Sequence, residues 1–361
     1  MKTQEQEMDM ANDGTPPLEP LSPILANDTL MRDGGDICFA NASRFIESNF
    51  SVPLTTYATG WKDPNRLDVA LEFVAPMVSV GRRFEFMQAT NAEEFISEID
   101  DVRGIGADFN RVEFTSSKVN SKTLNKGLTM RIDLDEVNDL PNYQEIYTGR
   151  LMRRLLRNEL RRAVNILVAA AQSNATPAPD QNPQAVTWNT TSGRDADMDL
   201  TDCVTRYFDG AGLGPTRCLF AHNAWNLRKR CLRNINVPGG YLNSNMSEAE
   251  VAAFLGLDSV YVSKERMTTG TRLTPTKTTV VGPVSGQGAT YPVVIYLAEA
   301  GQTPEDPSNI KRFVSATVGG TPFRVYVAPF GSKFIDITVE HYSLTVATST
   351  LGVQLLNISP V

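Results

Sequence analysis

The chain has 361 residues, 41% hydrophobic and 21% charged, with a formal net charge of −7. This is the composition of an ordinary globular protein with chain enough for two structural units or one elaborate domain, which excludes a fibrous or wholly disordered polymer. An acidic balance also argues against a general nucleic-acid binder, whose phosphate contacts require a basic surface.

Residues 1 to about 27 are polar and acidic and contain Pro16, Pro17, Pro20 and Pro23. They read as an arm that only a partner would order. The start lacks the apolar stretch of a signal peptide, and the longest nearly apolar run, Ala163 to Ala171, is too short to span a bilayer. The expected setting is therefore soluble and cytoplasmic where the protein is made. Cys38, Cys203, Cys218 and Cys231 show no C-x-x-C spacing and read as free, mostly buried thiols.

"NASRFIESNF" reads as a short helix capped by Asn41 or Ser43. "LDVALEFVAPMVSV" and "RRFEFMQ" alternate β-branched and aromatic residues and read as strands. "TNAEEFISEI" has Thr90 or Asn91 as a cap and reads as one or two helical turns. The polar, Gly-bearing stretch from Asp101 to Val137 reads as a long two-stranded excursion, which is marginal alone and calls for support from outside the monomer's core.

Pro141 to Gln172 carries the longest helical signal. Leu151, Met152, Leu155, Ala163 and Ile166 share one side. Arg150, Arg153, Arg154, Arg157 and Arg161 fall within about 100° on the other, with Arg162 off the stripe. The prolines and small polar residues from Ser173 to Asp199 read as a linker. A compact α/β module follows over 199–276. "LTDCVTRYFDG" reads as a helix ending at Gly210, "TRCLFA" as a buried strand, and "HNAWNLRKRCLRN" as a helix capped by Asn223. "MSEAEVAAFLG" is a helix with a Ser247–Glu250 capping box and Gly256 at its end, and "SVYVS" is a strand. The last third, from "KTTVVGPV" to "GVQLLNI", is strand-rich and nearly without helix.

The search for chemistry is mostly negative. His222 and His341 are the only histidines, and neither has a metal-ligand neighbour three or four residues on. "GIGADF" has Phe109 in place of the third glycine of a dinucleotide loop, and "GPVSG" sets its serine one place late for a nucleophile elbow. Asp100–Asp101 and Asp133/Asp135 could serve as acids or hold Mg²⁺, but they read better as solvated charges. No catalytic residue, cofactor site or metal site is assigned. The arginine stripe is either a solvated face or a contact with polyanion, and "LRKRCLR", 227–233, is a second basic cluster that is solvated or inter-subunit.

The order of elements — polar arm, β-excursion, long helix, α/β module, long strands — resembles the major capsid proteins of tailed bacteriophages, whose fold is named after coliphage Hong Kong 97. "RGIGADFNRVEF" is similar to the Arg-x-x-Gly-Ala segment of that family's extended loop, with Ile105 where proline is common. "YQEIYTGRLMRRLLRNELRRAVNILVAAA" and "FIDITVEHYSLTV" are similar to its peripheral-domain elements, and "TRCLFAHNAWNLRK" to its axial strand and helix. The resemblance implies an α+β fold with an N-terminal arm and lead-in over 1–60 and an extended β-loop region over 61–139. It implies a peripheral domain with a spine helix over 140–198 and 277–361, and an axial domain over 199–276. It implies a virion shell built of hexamers and pentamers in the host cytoplasm, enclosing double-stranded DNA, with scaffolding, portal and decoration proteins as candidate partners and no membrane. The stripe residues Arg150, Arg153, Arg154, Arg157 and Arg161 would face the inner wall or DNA. Arg103, Gly104, Gly106 and Arg111 are the candidate inter-subunit loop residues. An encapsulin-like cellular shell, an enzyme with an unfamiliar site and a nucleic-acid-binding protein are the alternatives.

Overall fold

The computed structural model describes residues 49–88, 102, 108, 117–174, 184–189, 194–234, 240–269, 276–282, 290–299, 303–304, 306–315 and 322–360. The N-terminal arm, residues 41–48 of the helix read over 41–50, the 90–99 turns and Arg103, Gly104, Gly106 and Arg111 lie outside them.

Two sheets share one long helix. The first sheet is organised by its longest strand, β13 (Phe334–Ala347). Along one edge β13 pairs antiparallel with β4 (Leu124–Asp133). Along the other it pairs first with β12 (Phe323–Phe330) and then with β11 (Ile310–Ser315). β1 (Met77–Val80) adds parallel to β11. Gly127 of β4 faces Glu340, and a Cβ there would sit 2.8 Å from the Val339 carbonyl oxygen, so the close pairing requires glycine.

The second sheet runs in the order β5 (Gln184–Thr187), β14 (Gln354–Ser359), β10 (Tyr291–Tyr296), β6 (Arg217–Ala221) and β7 (Ser259–Ser263). Helices α5 (Ala196–Ala211), α6 (His222–Asn234) and α8 (Glu248–Leu255) pack on it. Between α6 and α8 lies α7 (Gly240–Ser244), which packs on α6. The capping box read at α8 is present: Ser247 Oγ accepts from the Glu250 N–H and the Glu250 carboxylate accepts from the Ser247 N–H, while Gly256 closes the helix at φ +69°.

The long helix α4 (Tyr143–Ser173) joins the two halves. Leu151 and Met152 enter one core with α1 (Val52–Gly60), β4, β12 and β13. Leu156, Leu160, Ala163, Val164, Leu167 and Ala171 enter the larger core of the second sheet with α2 (Leu67–Val74). The change from half-exposed to nearly all-round apolar along the sequence marks the passage from one core to the other.

Several readings are corrected. "LDVALEFV" is helix α2, not strand: Leu67, Ala70, Leu71 and Val74 are its buried residues, a spacing of three and four. The 61–139 region is only partly an excursion, because α2, β1 and β4 belong to the packed body. The ribbon proper is β2 (Arg83–Gln88) paired with β3 (Ser117–Lys122). Its base is held from within the chain, where Phe84 and Phe86 lie 4.5 and 5.4 Å from the Phe313 ring in a small core with Val78. The supposed linker from Ser173 to Asp199 contains β5 and the fully buried Trp188. The 199–276 module is not closed by itself, since β6 pairs with β10 and the sheet continues through β14 to β5.

Candidate functional site

The arginine stripe sits on the solvent side of α4, and its members differ. Arg150 and Arg154 are exposed, and Arg150 stacks over the Tyr147 ring at 4.9 Å. Arg153 is committed to the fold: its Nε donates to buried Asp63 at 3.0 Å, and its guanidinium lies 6.0 Å from the Trp61 ring. Arg157 and Arg161 are half-buried. Arg162, off the stripe, turns inward and bonds Glu159 at 2.7 Å. The stripe's solvent-facing charge is therefore concentrated in Arg150 and Arg154.

Behind it lies a buried charged node that the sequence did not single out. Glu159 is 1% exposed. Lys126 from β4 approaches to 3.2 Å, Ser343 of β13 donates to it at 3.1 Å, and His341 Nε2 lies 3.6 Å away. Burial alone would raise this carboxyl's pKa, but the neighbouring His341 and the charges of Lys126 and Arg162 together hold it far below the usual carboxylate range. Glu159 and His341 are among the residues that line an open cleft of about 660 Å³, with Trp61, Phe73, Met152 and Phe323.

The second basic cluster is also revised. Arg228 is not solvated. It is 0% exposed and grips Asp197 through two bonds of 2.6 and 2.9 Å, 5.1 Å from the Trp225 ring. Asp199, two residues on, accepts from the Trp188 indole at 2.8 Å and from Arg194. Both acids lie in the first turn of α5, where carboxylates favour the helix dipole. Arg230 and Arg233 remain exposed. His222 opens α6, where burial and then the nearby Arg266, Lys264 and Lys229 lower its pKa.

Cys203, Cys218 and Cys231 are free and buried, as read. Burial pushes the Cys203 thiol up to about 12 and raises Cys218 as well, so neither is a ready nucleophile. Among the described residues no group of His, Cys, Asp or Glu could hold a metal ion, and no helix is long and apolar enough to cross a membrane.

No family model and no curated protein sequence matches the chain. Solved structures do. A phage-related protein from Bordetella bronchiseptica RB50 matches with a TM-score of 0.58 and 14% identity, over 85% of this chain and 96% of that one. A putative prophage capsid protein from E. coli CFT073 matches with a TM-score of 0.46 and 10% identity, over 86% and 99%. A holo encapsulin complex from Synechococcus elongatus PCC 7942 matches with a TM-score of 0.41 and 11% identity, over 78% and 84%. At these identities the likeness is one of fold. The chain has the mixed helix-and-strand fold of the phage-related Bordetella protein.

Proposed function

We propose that this chain is a structural protein that assembles with copies of itself into the icosahedral head shell of a tailed phage, in the Hong Kong 97 manner. The observation that carries the reading is the fold shared with the Bordetella phage-related protein over 96% of that chain, joined to the order of elements and the strand–helix segments of the sequence. The fold also suits the role. It presents the ribbon β2–β3 and a second two-stranded ribbon, β8 (Arg266–Thr269) with β9 (Thr276–Thr279), both of which bury little within one copy.

In this reading the second sheet with α5, α6 and α8 surrounds the symmetry axes of hexamers and pentamers, the ribbon lies over a neighbour, and Arg103, Gly104, Gly106 and Arg111 remain the candidate inter-subunit residues. Arg150 and Arg154 face the shell's contents. Scaffolding, portal and decoration proteins are its candidate partners. The protein acts by assembly and not by catalysis.

Negative-stain electron microscopy of the purified chain, alone and with its neighbouring genes co-expressed, tests this. Closed shells or capsomer rings are expected. A monomer under both conditions overturns the reading and returns the enzyme alternative. Nuclease-resistant DNA in the particles marks a phage head, whereas a protein cargo without DNA marks an encapsulin-like compartment.

A further inference from the structure

Two surfaces of the described chain have matching chemistry and no partner within it. The first is the corner between α3 (Leu134–Val137) and α4. Leu140 and Ile146 are each 45% exposed there. The turn itself is closed by backbone bonds, with the Leu140 N–H donating to Val137 and the Ile146 N–H donating to Asn142. Glu136, Asp139 and Glu145 are exposed around them, and none of these three carboxylates has an ion-pair partner among the described residues; the adjacent Asp135 is taken by Lys333 at 2.8 Å.

The second surface is the packed pair α6–α7. Leu242 is 77% exposed. Arg233 Nη2 donates to Asn245 Oδ1 at 3.4 Å, which sets that cation next to the end of α7, and Arg230 is exposed one turn earlier on α6. Single exposed apolar residues are ordinary on any surface. Two exposed apolar residues among three unpaired acids, with the exposed Arg150 one turn beyond Ile146, and an exposed apolar residue on the helix pair that carries Arg230 and Arg233 form a largely complementary set.

We propose that the acidic corner of one copy docks on the basic α6–α7 surface of a second copy. Leu140 and Ile146 meet Leu242, and Glu136, Asp139 and Glu145 face Arg230 and Arg233. The inference rests on the shell reading and names one of that shell's contacts. The stripe cations Arg150 and Arg154 are a poorer match, because α4 carries no exposed large apolar side chain beyond Ile146 among the described residues. Since the two surfaces differ, each docked copy still offers one of each, so the contact can continue from copy to copy, and in the shell reading it closes as a ring. Exposed ion pairs contribute little singly, so the charges set partner choice and register while the apolar side chains supply the desolvated centre.

Cross-linking between copies tests this. In a Cys38→Ser background, one preparation carries Leu140→Cys and another Leu242→Cys, and the two are mixed with a thiol-specific bifunctional reagent. The three remaining cysteines are buried. Cross-linked pairs should form in the mixture at roughly tenfold the yield of either preparation alone, as complementary surfaces require. Leu140→Cys pairs formed without the partner preparation, equal yields throughout, or no cross-link overturn the contact. Adding Glu136→Lys, Asp139→Lys and Glu145→Lys to the first preparation should abolish the cross-link, and Arg230→Glu with Arg233→Glu in the second should restore it. Failure to restore overturns the pairing. The readout needs two copies in contact, not a closed particle. Shells without this cross-link refute the contact alone, and the cross-link without shells or rings refutes the shell reading alone.

Discussion

At Glu159 a carboxylate is buried among a lysine, an arginine and a histidine at the point where α4 crosses β13 and β4. Its folded pKa is depressed below the ordinary 4.5, so the group stabilises the fold fully above that value, and the contribution is lost progressively as the pH falls below it. Glu159→Gln should therefore destabilise the protein at pH 7 by about 3 kcal/mol, because the largely buried Lys126 is left without its counter-charge. The gap from wild type should then narrow as the pH drops below 4.5, by at most about 1.4 kcal/mol per unit for one group. Urea unfolding of both proteins between pH 3 and 7 measures this, and a gap independent of pH would contradict it. Arg228 and Asp197 pose the same problem of a stranded buried charge. Arg228→Met alone strands a buried carboxylate and should cost about 3–5 kcal/mol, whereas Arg228→Met with Asp197→Leu should recover much of the loss. A double variant as unstable as the single one would show that packing, not stranded charge, sets the cost.

Among the elements, those whose signals are local were legible in the sequence. The Ser247 capping box, the apolar face of α4 and the strand-rich run that forms β13 are local signals, and all three elements stand where they were read. α2 was ambiguous because Leu67, Val69, Leu71 and Phe73 alternate as a strand would, while Leu67, Ala70, Leu71 and Val74 repeat as a helix would; contact with α4 decides between them. β5 hid in a polar, proline-bearing stretch because its partner, β14, is some 170 residues away. The node and the Arg228 pair were invisible for the same reason, since nothing near Glu159 announces Lys126 or His341.

Turns can be tested at the same scale. Gly256 and Gly352 have nearly equal positive φ, +69° and +71°, but a Cβ at Gly256 meets open space and one at Gly352 would lie 2.6 Å from Ala211 Cβ. Gly256→Ala should cost about 1–2 kcal/mol from backbone conformation alone. Gly352→Ala should cost about 1–3 kcal/mol more, because α5 must shift away from the β14 turn. Thermal or denaturant unfolding of the two variants gives the difference directly, and equal costs would mean that the 352 turn yields freely.

For the whole molecule, the arginine stripe raises a question of scale. A pair of exposed cations on one copy is a weak polyanion site, yet a shell would repeat Arg150 and Arg154 on every copy, and phosphate neutralisation adds up with each cation presented. The structure also decides which residues can test this. Reversing Arg153 would strand buried Asp63, so a failure to assemble would say nothing about DNA. Arg150→Glu with Arg154→Glu changes two exposed side chains, and surface substitutions of that kind alter stability by about 0.5 kcal/mol or less each. Particles of this double variant should therefore form with normal yield and thermal stability while retaining less nuclease-resistant DNA. Release of the packaged DNA should need less salt than in wild type, because fewer phosphates are neutralised from the wall. Full particles with an unchanged salt response would mean that these arginines do not touch the contents, and would return the stripe to a solvated or inter-subunit role. Loss of assembly with no loss of monomer stability would instead place Arg150 and Arg154 in a contact between copies.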